Sequence, residues 1–199
     1  MPIALVTPGL DHLPGSARAL RRGWSPDNVR GAAAAREQLA AIEADAAGFV
    51  ASRTDPEARG DLVELPNGSR VPRLPGFHRW IWDGEFCGNI GLRWQPGTSA
   101  LPPHVLGHIG YAVVPWKRRR GHARRALALL LPEAAALGLP YVEITTDPGN
   151  IASRRVIEAN GGQLVERFYE PAAYGGEEAL RYRIDLPHEP RLNTTPLSL

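Results

Sequence analysis

Apolar positions recur along this chain in two rhythms. Over residues 33–52, Leu39, Ile42, Ala46, Phe49 and Val50 fall at helical spacing, which predicts an amphipathic helix. Ser25-Pro26-Asp27 upstream carries the residues of a helix start. From residue 77 the rhythm becomes that of strands: 77–82 and 85–94 flank Asp83-Gly84, a strong hairpin signal. A two-residue turn would set Trp82 opposite Glu85, Trp80 opposite Cys87 and His78 opposite Asn89 on one face. Phe77, Ile81, Phe86, Ile90 and Leu92 would then form the core face. Residues 107–114 predict another strand, and 121–137 a helix stopped by Gly138 and kinked or restarted near Leu131 by Pro132. Further strands are expected at 3–6, 141–146, 163–169 and 179–186. Residues 53–76, rich in Pro and Gly, predict loop with one short strand at 61–65.

Composition narrows the class. A chain of 199 residues with 43% hydrophobic and 22% charged residues suits one well-buried domain. Residues 1–76 are expected to join the same domain as 77–186, with 187–199 a Pro-rich tail. No apolar run approaches a membrane span. The first residues lack the pattern of a signal peptide, and the single Cys87 cannot form an internal disulfide, so a cytoplasmic setting is expected. A net charge of +2 is too mild to argue for nucleic acid. Lys117 is the only lysine, and the scattered arginines are read mainly as a compositional bias.

The segment from Val114 through Pro115, Trp116, Lys117, Arg118, Arg119, Arg120, Gly121 and His122 to Ala123 joins a predicted strand to a predicted helix. Such a junction points unpaired amides and the positive end of a helix dipole at one place, which suits an anion. Taken alone, a basic run of this kind is more often a solvated turn. Here R-x-x-G-x-A from Arg118 resembles the acyl-CoA pyrophosphate loop of the GNAT superfamily of N-acetyltransferases. A second block, Asn150-Ile151-Ala152-Ser153 leading into a helix that ends at Gly161, resembles that family's later segment and follows in the family's order. The resemblance covers roughly residues 77–186 and is nearest to a bacterial group of undefined substrate.

The resemblance implies an α/β fold with a twisted mixed sheet flanked by helices, acetyl-CoA as donor, and a small-molecule or peptide amine as acceptor. It implies no nucleic acid and no membrane partner, and it is compatible with a homodimer. Backbone amides of Arg119, Gly121, His122 and Ala123 would receive the pyrophosphate, while Arg118, Arg119 and Arg124 reach the outlying phosphate. Backbone groups of Tyr111, Val113 and Val114 would pair with the pantetheine arm, and an amide near 109–111 would serve the oxyanion of the tetrahedral intermediate. Asn150 and Ser153 complete the cofactor set; a plain helix cap is an equal reading of Asn150.

An amine of pKa near 10.4 is free base about once in a thousand molecules at neutral pH, so a base is useful. His108, where many relatives carry a glutamate, and Glu85 are the candidates; a strand-end histidine and an exposed turn glutamate are the plainer readings. The family's usual tyrosine acid falls at Ile157, which cannot donate. Tyr169 is taken in its place, with Tyr174, Ser153 and water as alternatives. Acceptor choice is expected from the N-terminal region, the Trp80 and Trp82 face and the 169–177 loop. Two other functions compete: an acyl-CoA-binding protein without turnover, and a basic nucleic-acid-binding module.

Overall fold

The computed structural model describes residues 1–27, 30–65 and 67–187; the predicted tail lies almost wholly outside them. Strand β1 (Ala4–Val6) is followed by α1 (Leu13–Arg21), a helix that Pro14 and Gly15 disguise as a loop in the sequence. Proline is tolerated there because a first-turn amide has no helical acceptor to lose. The expected helix over 33–52 divides into α2 (Gly31–Ala44) and α3 (Ala46–Ala51). Asp45 makes the break: its backbone is extended and its carboxylate accepts the Gly48 N–H at 2.9 Å, which caps a new helix. Then come β2 (Thr54–Asp55) and a small hairpin of β3 (Val63–Glu64) with β4 (Arg70–Val71), so the strand expected at 61–65 is only two residues long.

The main sheet adds β5 (Gly76–Trp82), β6 (Phe86–Arg93) and β7 (Ile109–Val113) in the order β1-β5-β6-β7, with β2 also on β5. The β5–β6 turn is not the two-residue hairpin. A register shift after Ile81 sets Trp82 opposite Phe86, Ile81 opposite Gly88 and Trp80 opposite Asn89. The extra residue reverses parity locally, so Cys87 joins the Ile81 core and Phe86 joins Trp80. Both faces are covered. On one, α4 (His122–Ala136) supplies Ala126, Leu127, Leu130 and Ala134 to a core with Ile81, Ile90 and Leu92. On the other, Trp80, Phe86 and Val114 pack with Leu13, Leu20, Ile42 and Phe49 of the first three helices. Trp80, read from the sequence as an open surface residue, is 3% exposed. Helix α4 runs through Pro132 without the expected restart.

A second sheet holds β8 (Tyr141–Thr146), β9 (Gln163–Tyr169) and β10 (Glu178–Asp185) in the order β8-β10-β9, with α5 (Ile151–Glu158) after β8. The sheets join where the His108 N–H donates to the Glu143 carbonyl at 2.7 Å and the Glu143 N–H donates to His108 Nδ1 at 2.9 Å. Beyond that clasp β7 has, among the described residues, a registered partner only in β6, so its other edge stands open toward β8.

Candidate active site

Alternation along β7 decides which of its backbone groups are available. Arg93 donates its N–H to the His108 carbonyl, and Val114 donates to Cys87, so the 108 carbonyl and residues 110, 112 and 114 bond toward β6. Ile109, Tyr111 and Val113 therefore turn their N–H and C=O groups to the open edge. That edge forms one wall of a groove of about 820 Å³, continued by residues 117–119 and 121–124, by Asn150 and Ser153 at the start of α5, and by Thr145 and Thr146 of β8. At its far end Arg119 and Gly121 both adopt left-handed backbone, φ 60° and 78°, and Gly121 caps α4 with no side chain above it. The first amides of α4 have no helical acceptors and, with Arg118, Arg119 and Arg124, give this end a strong preference for anions. Asn150 accepts the Ser153 N–H at 3.1 Å, and Ser153 Oγ meets the Tyr111 hydroxyl at 2.9 Å. Burial holds that phenol's pKa up at about 12 against the Ser153 hydrogen bond, so it is neutral.

The loop is anchored from below. Lys117 is not part of a solvated basic turn: 7% exposed, it bonds Asp83 at 2.6 Å and Glu85 at 3.1 Å. Burial works to raise the Asp83 pKa, but the Lys117 hydrogen bond and charge override it and hold the carboxyl below its ordinary value. His122 also turns inward, its Nε2 3.5 Å from Asp83. Burial first, and the Asp83 carboxylate after it, push the neighbouring Cys87 thiol up to about 12 and leave it inert.

A larger cavity of about 1180 Å³ lies on the other side, between the main sheet and the N-terminal helices. Trp80, His78 and Asn89 line it together with Trp24, Phe49, Arg53, Arg93 and His104. The Asn89 amide donates to His78 Nδ1 at 3.3 Å, which leaves the ring proton on Nε2. Desolvation, then the charges of Arg53 and Arg93, depress His78 to about 4. The groove and the cavity share Ile109, Gly110, Thr145 and Tyr174. Tyr174 donates its hydroxyl to the His104 carbonyl at 2.7 Å, and burial raises its pKa, so it holds its proton.

Of the residues predicted for the cofactor, Tyr111, Val113, Arg118, Arg119, Gly121, His122, Ala123, Arg124, Asn150 and Ser153 all line the groove. Val114 does not: it is fully buried and its N–H is taken by Cys87. The three expected catalytic residues do not meet. Glu85 sits on the hairpin turn against Lys117 with its side chain 75% exposed, outside both spaces. Tyr169 is 76% exposed and lines neither space. His108 is fully buried in the clasp between the sheets, and desolvation there holds its pKa at about 4. Sequence reasoning missed Arg53 and Arg93, which carry no motif, and left Tyr174 as an alternative. The inward pointing of odd and even strand positions into one cavity was the available signal, and the β5–β6 bulge scrambled it.

Fold and groove together define an acyl-CoA-dependent transferase. A family model described as an acetyltransferase (GNAT) domain matches residues 29–163, and the chain belongs to that family. It is thus an N-acetyltransferase whose donor is acetyl-CoA. Among solved structures, the ribosomal L7/L12 alpha-N-protein acetyltransferase RimL in complex with coenzyme A is similar, with a TM-score of 0.62, 13% identity, and 94% of this chain and 96% of that chain covered. An acetyl transferase from Salmonella typhimurium that modifies the N-terminal serine of L7/L12 gives 0.60 at 14% identity, covering 93% and 95%. The microcin C7 self-immunity acetyltransferase MccE, in complex with acetyl-CoA and AMP, gives 0.59 at 13%, covering 92% of each chain. At these identities the likeness is one of fold. No curated protein matches the chain. Among the described residues no helix is long and apolar enough to cross a membrane.

Proposed function

We propose that this protein transfers an acetyl group from acetyl-CoA to a primary amine by direct attack of the amine on the thioester. The observation that supports this most is the meeting of groove and cavity at Ile109, Gly110, Thr145 and Tyr174. A donor held in the groove and an acceptor held in the cavity would come together there. The groove fits acetyl-CoA: a polar backbone edge suits the amide-bearing arm, and the arginine-flanked amides at Arg119 and Gly121 suit the phosphates. Acetyl-CoA supplies an activated thioester; the amine nitrogen bonds to its carbonyl carbon as the carbon–sulfur bond breaks.

The Ile109 N–H, directed away from the β6 ladder, is assigned to stabilise negative charge on the carbonyl oxygen. Tyr174 is assigned to return a proton to the departing sulfur, because its neutral phenol lies at the junction. His78 and His108, both held at about 4, are too weakly basic for an ammonium group. Water in the open cavity takes the amine's proton. Pairing of β1 with β5 supports reading residues 1–76 as part of the same domain as 77–186, and an unreactive, buried Cys87 fits a reducing cytoplasm.

Calorimetric titration with acetyl-CoA, alongside Gly121→Glu, tests the donor half. Binding that the variant loses is expected; no binding by the parent protein overturns the reading. An amine panel with thiol-release detection then tests transfer.

A further inference from the structure

The acceptor cavity carries a charge that the acetyl transfer described above does not use. Its carboxylates are all engaged: Glu37 pairs with Arg30, Glu64 lies 3.8 Å from Arg70, and Asp27 accepts the Arg30 N–H at 2.8 Å. Among the described residues, two of its guanidinium groups have no such counterpart. Arg53 stacks on the Phe49 ring, 4.6 Å from its centroid, and bonds only the neutral Ser52 hydroxyl at 3.0 and 3.3 Å. The Arg93 guanidinium has no hydrogen-bond or ion-pair partner among the described residues. Desolvation depresses the pKa of both, and for Arg53 the nearby charge of Arg73 adds to it. By accessibility Arg93 is exposed and Arg53 half-buried, so both guanidinium groups can be reached by an anion entering the cavity, and a charge-assisted, two-pronged contact is what such an anion would gain.

The floor beside them is bare backbone. Gly91 and Gly110 are paired across β6 and β7, and both lie on the face that carries His78 and Arg93. A Cβ at Gly91 would come within 2.8 Å of His78 Nδ1, and one at Gly110 would lie 3.8 Å from Arg93 Nη2. The guanidinium of Arg93 therefore reaches the point where cavity and groove join, with a trough of backbone under it. The neutral His78, donor on Nε2, lies along the same trough.

From this arrangement we infer that the acceptor is a small amine carrying its own anionic group, a carboxylate or a phosphate, which Arg93 and Arg53 bind while the amine points to the junction at Gly110. The inference rests on the acetyl-transfer reading for the role of the amine, but not for the binding of the anion. Arginine forks suit both oxyanions, and the separate arms of one experiment tell them apart.

Thermal unfolding of the protein is followed with β-alanine or phosphoethanolamine, and with β-alaninamide and ethanolamine, which keep the amine but lack the anionic group. The amines that carry an anionic group should raise the midpoint at millimolar concentration and those without it should not; whichever anion acts identifies the group. In Arg93→Gln the shift should vanish, with partial rescue in Arg93→Lys, and in Arg53→Gln it should weaken. Turnover should favour the anionic amine over its counterpart by about tenfold or more in kcat/KM, as expected for charge-assisted hydrogen bonds, with the loss in Arg93→Gln falling on KM. Acetyl-CoA titration of each variant shows that it is folded. Equal stabilisation by the amines that lack an anionic group, no stabilisation by either anion, or a preference that survives both glutamine variants overturns the inference. Failure of the parent protein to bind acetyl-CoA overturns the acetyl-transfer reading, while the midpoint shifts still decide whether the cavity binds anions.

Discussion

The groove proposed for the donor and the cavity proposed for the acceptor share the start of β7 but are made of different material. The groove is built on main chain along one side, a strand edge, a left-handed loop and a helix end within residues 109–124, with β8 and α5 as its other side. The cavity is mostly side chains, gathered from α1, α2, α3, β5, β6 and the 172–174 turn. A main-chain site needs a particular backbone path, so it constrains a short stretch of sequence tightly. A side-chain site needs only that scattered residues meet.

The largest expected effect strikes the groove. Gly121→Glu puts a side chain on a left-handed residue and a negative charge where the phosphates go, and acetyl-CoA affinity should fall on the order of a thousandfold in calorimetry. An unchanged affinity would separate the loop from donor binding. Next is the anchor beneath the loop. Lys117→Met strands the partly buried Asp83 carboxylate, and the denaturant midpoint should drop by an amount worth about 3 kcal/mol.

The clasp between the two sheets responds to pH. His108 titrates at about 4 in the folded protein and near 6.5 when unfolded, so the unfolded chain takes up the proton first as pH falls. Stability is full above pH 6.5 and declines toward pH 4, by about 3 kcal/mol from this residue. His78 adds in the same direction. Unfolding free energies across that window should flatten in His108→Asn, which keeps an acceptor for the Glu143 N–H. At the junction, Tyr174→Phe should lower kcat about tenfold, since a thiol leaves readily without an acid, and leave acetyl-CoA affinity intact. The smallest effect belongs to Glu85→Gln: no measurable change in kcat, and about 0.5 kcal/mol in stability, because its partner keeps Asp83. A large fall in kcat would return Glu85 to the chemistry.

This difference in material also explains what the sequence disclosed. Arg118, Gly121 and Asn150 stand at fixed spacings that a backbone path dictates, so the loop, the β7 edge and the start of α5 were legible, while the wall that β8 adds at Thr145 and Thr146 and the acidic residues Glu170 and Glu177 were not. Val114 was misplaced because hydrogen-bond direction alternates by single residues and its strand ends there. The strands of the main sheet were legible from β-branched and aromatic runs, but α1 hid behind Pro14 and Gly15, and Asp45 split one apolar rhythm between two helices. In the cavity, Trp80, His78 and Asn89 were grouped correctly on one face, yet their cover by α1 and α2 is a tertiary fact without local signal. Arg53 and Arg93 looked like two more arginines in an arginine-rich chain.

The period-two geometry of β7 also has a consequence for how this protein tolerates changes of length. Insertions in the Pro-rich connection at 96–103 leave the strand's parity alone and should be absorbed. A single residue added within Ile109–Val113 would exchange the two sets of amides, turning the open edge toward β6 and the paired edge toward the groove. Drift in chain length is therefore expected to collect before this strand and to be purged from it and from the loop that follows, while the cavity walls remain free to change by substitution.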